Sequence, residues 1–418
     1  MAKENAQNVY LTKVHQRDSF EKLEKAIGAG KMEYFATGER LAKKLESELP
    51  SAVIIDEDHI RNLPEFVEIV FTQKPGRRFI PAAVLTDDPK ISKSRFSKCH
   101  FPITLIQRDS YQELLEFIRR ALKPSVKVKF WGVRGSTPCA NSENIFYGGN
   151  TSCVQIEIPG YDKLLILDSG TGIRNLGNFL ENYSSGPIHG DLFITHPHWD
   201  HIQGFPFFTP FYEKENSFRI HLPEQYRGGA EEILSGHLTK TFFPVTLDML
   251  ASDLTYVTQK EEPERMDAFS VDYLVANHPT KTAIYRFRIK DYTIIYAPDN
   301  ELPLTASPLR YIDKFCDFIK DCDLLIHDGQ FNLETFKTRE GWGHSAWERV
   351  LELAKSSGVK RLILTHHDPN SDDEYLNRLS GIVDSYRGNP FEMIEFAREG
   401  KFVALPLNDT VEISNIES

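Results

Sequence analysis

The chain is poor in cysteine, with five in 418 residues. Cys99, Cys139, Cys153, Cys316 and Cys322 are odd in number and show no C-x-x-C spacing. That excludes a disulfide framework or a thiolate zinc site as the organising device and fits a reducing compartment. No apolar run approaches the ~20 residues that a membrane-spanning helix requires. The opening Met1-Ala-Lys-Glu-Asn-Ala-Gln-Asn8 carries no apolar core of the signal-peptide kind. A cytoplasmic protein without a membrane partner is therefore expected. Positive charge is also short, since 49 Lys and Arg stand against 60 Asp and Glu, a formal net charge of −11. Such a chain has no overall electrostatic pull toward nucleic acid or anionic lipid, and only a local basic channel would serve either. Internal repeats and low-complexity segments are missing too. What remains is 40% hydrophobic and 26% charged, the balance of a soluble globular protein of two or three domains.

Residues 1–122 alternate strand-like and helix-like segments. Asn8 to Val14, Met32 to Ala36, Ser51 to Asp56, Phe79 to Leu85 and Phe101 to Ile106 read as strands. Helical spacing falls at Ser19 to Ala26, around Leu41 to Leu49, and from Ser110 to Leu122. Strands alternating with helices predict a doubly wound parallel sheet. Asp56 ends the third strand, Thr86 follows the fourth and Arg108 the fifth. In this layout the segment resembles the receiver domain of response regulators, which places a phosphate-accepting aspartate, a switch Thr or Ser, and a lysine at those points. The acidic pair that holds Mg²⁺ in receivers is replaced here by His15-Gln16-Arg17, with Asp18 beside it. The resemblance therefore implies a pseudo-receiver over residues 1–123, a module for homodimerisation or for a signalling partner, with Asp56 a plain strand-end aspartate.

Pro124 stops the preceding helix, and from there the texture changes to short strands and glycine turns. A second domain is expected over 126–418. Its strands are read at Val126 to Trp131, Cys153 to Ile158, Lys163 to Leu167, Leu192 to Thr195, Val271 to Ala276, Ala283 to Ile289, Thr293 to Ala297, Leu324 to Ile326 and Arg361 to Thr365. Helices are read at Gly172 to Glu181, Ala230 to Leu238, Pro308 to Lys320, Ser345 to Ser357 and Glu374 to Tyr386. Two sheets between helices fit this order.

The chemistry concentrates in Thr195-His-Pro-His-Trp-Asp-His201, which follows an apolar strand. His196, His198, Asp200 and His201 are borderline-soft N/O donors suited to zinc or a similar divalent ion. In so tight a turn they cannot all face one ion, so two adjacent ions are the natural reading. His278, Asp299 and His366 each stand just past another apolar strand. Strand tips converge in layered α/β folds, so these residues are expected to meet. Asp168, His327, Asp328, His367 and Asp368 are candidates for orienting the ligands. Arg134 and Asn150 lie in glycine-bearing loops as phosphate contacts or loop supports, and the aromatic run Phe205 to Tyr212 reads as core and pocket wall.

Taken together, Asp168-Ser-Gly-Thr-Gly172, the His196–His201 cluster, His278, Asp299 and Thr365-His366 resemble the metallo-β-lactamase superfamily over about residues 126 to 400. Gly341-Trp-Gly-His344-Ser-Ala346 is similar to a short motif of its phosphodiesterase branch, which includes the tRNA 3′-processing nucleases and cyclic phosphodiesterases. Phe130 to Pro138 and Tyr147 to Ser152 look like a bacterial subgroup of these hydrolases. The resemblance implies an αββα sandwich and two divalent metals, zinc foremost, with Mn or Fe as alternatives. One would sit on His196, His198 and His278, the other on Asp200, His201 and His366, with Asp299 bridging and a nucleophilic hydroxide between. His344 is implied as general acid, and Asp200 as a ligand that also serves the catalysis. The leading expectation is a phosphodiesterase acting on a small phosphodiester such as a cyclic nucleotide, with nucleic acid set aside as a partner. RNA 3′-end processing, lactone or thioester hydrolysis, and a sensor role in signalling are the alternatives. The acidic pI and the lack of a glycine-rich basic arm weigh against the nuclease. Trp199 occupies the position where oxygen-reducing diiron relatives carry an acidic ligand, which weighs against redox chemistry.

Overall fold

The computed structural model describes residues 8–12, 23, 31–60, 62–72, 79–96, 103–304 and 309–407. The helix expected at Ser19 to Ala26 (apart from Leu23) and the segment His15 to Asp18 lie outside them. The chain divides into two compact units. One comprises residues 1–126, 178–186 and 404–418; the other comprises 127–177 and 187–403.

In the first unit, strands β1 (Val9–Thr12), β2 (Met32–Phe35), β3 (Ala52–Asp56), β4 (Ala82–Thr86) and β5 (Ile103–Gln107) form one sheet in the order β2-β1-β3-β4-β5. Every pairing is parallel, and the order is that of a doubly wound fold. β3 and β4 are buried at every position, as strands covered on both faces must be. Leu114, Leu115 and Ile118 of helix Tyr111–Leu122 pack on Val9, Leu11, Ile54, Leu85 and Ile106. β4 starts three residues later than its apolar run because Pro81 has no N–H for a ladder; its carbonyl still accepts from Val53 N. The helix expected at Leu41 to Leu49 is Gly38–Lys44, started early by the Thr37 side chain, which accepts from Arg40 N. Buried Asp56 meets the Arg108 guanidinium at 3.1 Å, and Arg108 also reaches Asp58 at 2.7 Å and Asp87 at 3.3 Å.

The second unit is a sandwich. β6 (Ser125–Gly132), β7 (Cys153–Glu157), β8 (Leu164–Leu167), β9 (His189–Phe193), β10 (Ser217–Pro223) and β11 (Asp253–Gln259) belong to one seven-stranded sheet. β12 (Glu264–Arg265), β13 (Phe269–Val275), β14 (Ala283–Ile289), β15 (Tyr292–Ala297), β16 (Leu324–Asp328), β17 (Arg361–Thr365) and β18 (Met393–Phe396) form the other. β19 (Phe402–Pro406) closes the first sheet beside β6, giving β11-β10-β9-β8-β7-β6-β19. β8 to β11 run parallel, as do β15 to β18. Between the sheets, Phe193 of β9 meets Tyr285 and Phe287 of β14 edge to face at 5.4 and 5.3 Å. On the outer face of the second sheet, Phe315 and Ile319 of helix Leu309–Ile319, and Val350, Leu353 and Ala354 of helix Trp347–Ser356, pack on Ile295, Leu325 and Leu362.

Three expectations are corrected here. β9 ends at Phe193, not Thr195, because the Asp168 carboxylate takes the Thr195 N–H and the Thr195 carbonyl accepts from Ala283 N. The stretch between the histidine cluster and His278, read as one helix from Ala230 to Leu238 without strands, carries β10 and β11 on either side of helix Ala230–His237. The helix expected from Ser345 starts at Trp347, because Phe331 holds the backbone of Ser345 and Trp347 in a bridge.

Candidate metal centre

The parallel halves of both sheets end on one edge, and the polar residues gather there. Asp168 follows β8, His196 follows β9, His278 follows β13, Asp299 follows β15, Asp328 ends β16 and His366 follows β17. Parallel strands converge their C-terminal ends, so residues far apart in sequence meet. Asp168 and His366 sit in the left-handed region, at φ 59° and 60°, which turns each side chain out of its strand direction at the tip.

Four overlapping groups offer three donor atoms each within 4.8 Å of one another: His196/His198/His278, His196/His201/Asp299, Asp200/His201/His366 and Asp299/His344/His366. The seven residues expected as ligands thus stand together, with His344 beside them. All are buried or nearly so. Several contacts make poor sense in a bare pocket. His278 Nε2 faces His198 Nδ1 at 3.2 Å, and His201 Nε2 faces His366 Nε2 at 3.3 Å. The first pair can share one proton, but Asp168 and Gln330 take the Nδ1 protons of His201 and His366, which leaves two Nε2 lone pairs facing each other in the second. His196 Nε2 is buried without a hydrogen bond, a cost of about 1–3 kcal/mol for an uncompensated group, and Asp299 Oδ2 has only the His201 and His366 imidazoles near it, at 3.0 and 3.3 Å. A divalent cation relieves both problems, and an all-histidine-and-aspartate set has the right donor character.

The supporting contacts fix each ring. The Asp168 carboxylate takes His201 Nδ1 at 2.8 Å, Thr195 N at 2.7 Å and the Tyr296 hydroxyl at 3.0 Å. His278 Nδ1 donates to the Gly343 carbonyl at 3.0 Å. His366 Nδ1 meets Gln330 Oε1 at 3.1 Å, and His198 Nε2 meets Thr280 Oγ1 at 3.0 Å. Ser136 N donates to Asp200 Oδ2 at 2.7 Å. A methyl group on Gly135 would lie 2.3 Å from His366 Nδ1, so that ring needs a glycine beneath it. Thr195, Tyr296, Thr280 and Gln330 escaped the sequence reading. Nothing in their local pattern marks them, since each acts on a residue brought near by the sheets.

Electrostatics divide the cluster. Burial, aided by the neighbouring His201, pushes His196 well below the usual imidazole range. Burial and His278 bring His198 down to about 4. Burial also lowers His278. These rings are neutral and free to donate lone pairs. Burial opposes charge on Asp200 and Asp299 as well, yet the surrounding imidazoles hold both far below the carboxylate range. His344 goes the other way. Burial would lower it, but the carboxylates of Asp328, at 2.9 Å from Nδ1, and of Asp299 and Asp200 raise it to about 9.

Other sequence candidates take different places. His344 is buried, with its ring stacked on His366 at 5.0 Å. Arg134 is fully buried and donates to the carbonyls of Gly148 (2.7 Å), Ser371 (2.6 Å) and Asp368 (3.3 Å), which makes it a loop support. Asn150 binds the Glu399 carboxylate through its side-chain amide at 3.0 Å. His327 bonds Asn300 and the Asp328 carbonyl, and His367 bonds the Ala397 carbonyl. Phe205, Phe208 and Phe211 are buried core, packed on one another and on Phe218.

Residues 166–367 match the family model of the beta-lactamase superfamily domain. With the sandwich and the donor cluster, this match makes residues 166–367 a beta-lactamase superfamily domain and the chain, by class, a metal-dependent hydrolase. Among curated proteins, the Ribonuclease Z of Haloarcula marismortui is 22% identical over 279 residues, 58% of this chain and 86% of that protein. The Ribonuclease Z of Porphyromonas gingivalis is 26% identical over 254 residues, 51% and 82% of the two chains. Among solved structures, the metallo-beta-lactamase fold protein YhfI from Bacillus subtilis aligns with a TM-score of 0.48 at 19% identity, over 67% of this chain and 99% of that one. Human tRNase Z, short form, aligns with a TM-score of 0.47 at 17% identity, over 67% and 100%.

Proposed function

We propose that the chain is a phosphodiesterase whose centre takes two divalent ions, zinc foremost. One set of donors is His196, His198 and His278, the other Asp200, His201 and His366, with Asp299 shared between them. When bound, such a pair supplies an activated water and offsets the charge that develops on phosphoryl oxygens. The chain's own residues do the rest. Asp168 and Thr195 hold the His201 and His196 rings in register. Asp328 fixes the His344 Nδ1 proton, which leaves Nε2 as the atom that gives a proton to the departing alkoxide as the P–O bond breaks. Burial of the cluster keeps bulk water from competing.

The observation that carries this reading is His344, braced by Asp328 at 2.9 Å and grouped with Asp299 and His366. A lactone or thioester departs with less need of a positioned acid, whereas an alkoxide leaving phosphorus needs one. For the substrate, the matched relatives favour a change from the sequence expectation. Curated relatives from archaea and bacteria carry the name Ribonuclease Z, which supports an RNA 3′ end as the phosphodiester cleaved here. The expectation against nucleic acid rested on net charge, which says nothing of a local groove. The net charge of −11 keeps a small phosphodiester as the second reading.

The test pairs two substrates with metal-loaded protein: bis-p-nitrophenyl phosphate and a tRNA precursor with a 3′ extension. Hydrolysis of both, with endonucleolytic removal of the extension, supports the RNA reading. Hydrolysis of the ester alone supports the small substrate, and hydrolysis of neither removes the phosphodiesterase.

A further inference from the structure

His278, Asp299 and His344 come from three separate stretches of chain, and one acidic residue outside the donor groups is bonded to the first stretch and the last and belongs to the second. Glu301 is 6% exposed and stands two residues after Asp299. Its Oε2 accepts from Gly341 N at 2.8 Å and from Gly343 N at 2.9 Å, just before His344. Its backbone N–H donates to the Asn277 carbonyl at 2.9 Å, and its own carbonyl accepts from Asn277 Nδ2 at 3.0 Å, just before His278.

The turn that Glu301 grips is poorly restrained by its own sequence. Gly341 and Gly343 have φ of 88° and 90°, a region open to glycine, whose backbone is the freest of any residue. A Cβ on Gly343 would fall 2.2 Å from His278 Nδ1, so the imidazole lies directly against this residue. The Gly343 carbonyl accepts from that same Nδ1 at 3.0 Å, and His278 Nε2 then faces His198 among the donors. Gly343 thus orients a metal donor on one side and carries His344 on the other. The carboxylate oxygen fixes it by taking two N–H groups of the turn, a pair of donors of the kind that binds anions. On the other side of His344, the Ser345 hydroxyl donates to the Asn300 carbonyl at 2.5 Å and accepts from Leu302 N at 3.0 Å. Residues 300–302 therefore hold the chain before and after His344, within three residues of Asp299.

We infer that Glu301 is a positioning residue that sets His278 and His344 relative to Asp299 by locking Gly343 between them. The His344 half of this inference rests on the phosphodiesterase reading above; the His278 half rests on the donor cluster alone. Hydrogen bonds to a carboxylate are roughly twice as strong as neutral ones, so an amide at this place holds the turn less tightly and a methyl group does not hold it.

Zinc binding and hydrolysis are measured on the same variants. In Glu301→Ala the affinity for one of two zinc ions, read by competition with a chromophoric chelator, is expected to fall about 10- to 100-fold. At saturating zinc, kcat on esters of poor leaving groups is expected to fall about 10- to 100-fold, with KM and the rate on p-nitrophenyl esters little changed. In a His344→Ala background the further loss of kcat from Glu301→Ala is expected to vanish, because the group it positions is gone. Glu301→Gln keeps an acceptor oxygen at the same reach and is expected to restore most of both properties. Should the alanine chain fail to fold, Glu301→Asp, one methylene short of the turn, takes its place in each measurement. Unchanged zinc affinity, or a loss of kcat that is equal for all leaving groups and additive with His344→Ala, overturns the positioning role and leaves the phosphodiesterase standing. If the wild type binds two zinc ions and cleaves no ester, the phosphodiesterase reading falls, and the zinc affinity of the variant alone upholds or overturns the role of Glu301.

Discussion

His344 shows how one residue acquires its role from partners that the sequence does not place beside it. Its motif, Gly341-Trp-Gly-His344, is legible, but the carboxylate that governs it, Asp328, ends a strand sixteen residues earlier. Replacing His344 with Ala should lower kcat about 10²–10⁴-fold on esters of poor leaving groups and much less on p-nitrophenyl esters. Asp328→Asn should give an intermediate loss. Steady-state rates across a leaving-group series check both, and equal losses for all leaving groups would contradict proton donation. The donor histidines were readable because four of the seven candidate donors fall within six residues, and the other three each follow an apolar strand. The residues that orient them were not, because Thr280, Gln330 and Tyr296 look ordinary until the sheets bring them to a ring. Gly135 belongs with these. Gly135→Ala should displace His366 and lower bound metal per chain, measured by elemental analysis, with secondary structure unchanged by circular dichroism.

At the scale of the element, the parallel sheet edges explain why the cluster forms at all. Most strands of both sheets were visible as apolar runs, while β10, β11, β12, β18 and β19 were missed. β10 alternates Phe218, Ile220 and Leu222 with polar residues, a pattern the reading passed over inside a long connection. β10 is also tied to β9 by charge. Buried Asp191 accepts from His221 Nε2 at 2.8 Å and from Arg219 Nε at 2.7 Å. Burial alone would raise its pKa, but His221 and Arg219 outweigh it and hold Asp191 below its ordinary value. A depressed carboxylate stabilises the fold above its unfolded pKa and loses that contribution as pH falls through the folded value. Thermal unfolding followed below about pH 4 should therefore show wild type losing more stability than Asp191→Asn, which starts about 2 kcal/mol lower at neutral pH. Parallel curves for the two proteins would sink this account of the pair. Arg134 makes a second case at this scale. Arg134→Met should destabilise the loops joined by its three carbonyl contacts without raising KM for any phosphodiester, as judged by thermal shift and kinetics together.

For the molecule as a whole, the fold class was legible from alternation alone, since five parallel strands followed by strand-rich texture imply a doubly wound unit and a layered one. Net charge bears on recognition only loosely. It describes the average surface, whereas recognition at the proposed site would be set by the edge where the strand tips meet. The centre also links metal to stability, because cations that bind only the folded state stabilise it by mass action. Stripping them with a chelator should lower the unfolding midpoint, by about 4 kcal/mol of stability when the free ion had stood at ~1,000 times its dissociation constant. Return of the ion should reverse the shift, as differential scanning fluorimetry would report, and no shift would mean the donors do not hold a cation. The most direct test of the central claim is to titrate chelator-treated protein with zinc or manganese while following phosphodiester hydrolysis. Activity that rises from none and saturates at about two equivalents per chain is the expected result. Full activity without added metal, or no hydrolysis once two equivalents are bound, would contradict it.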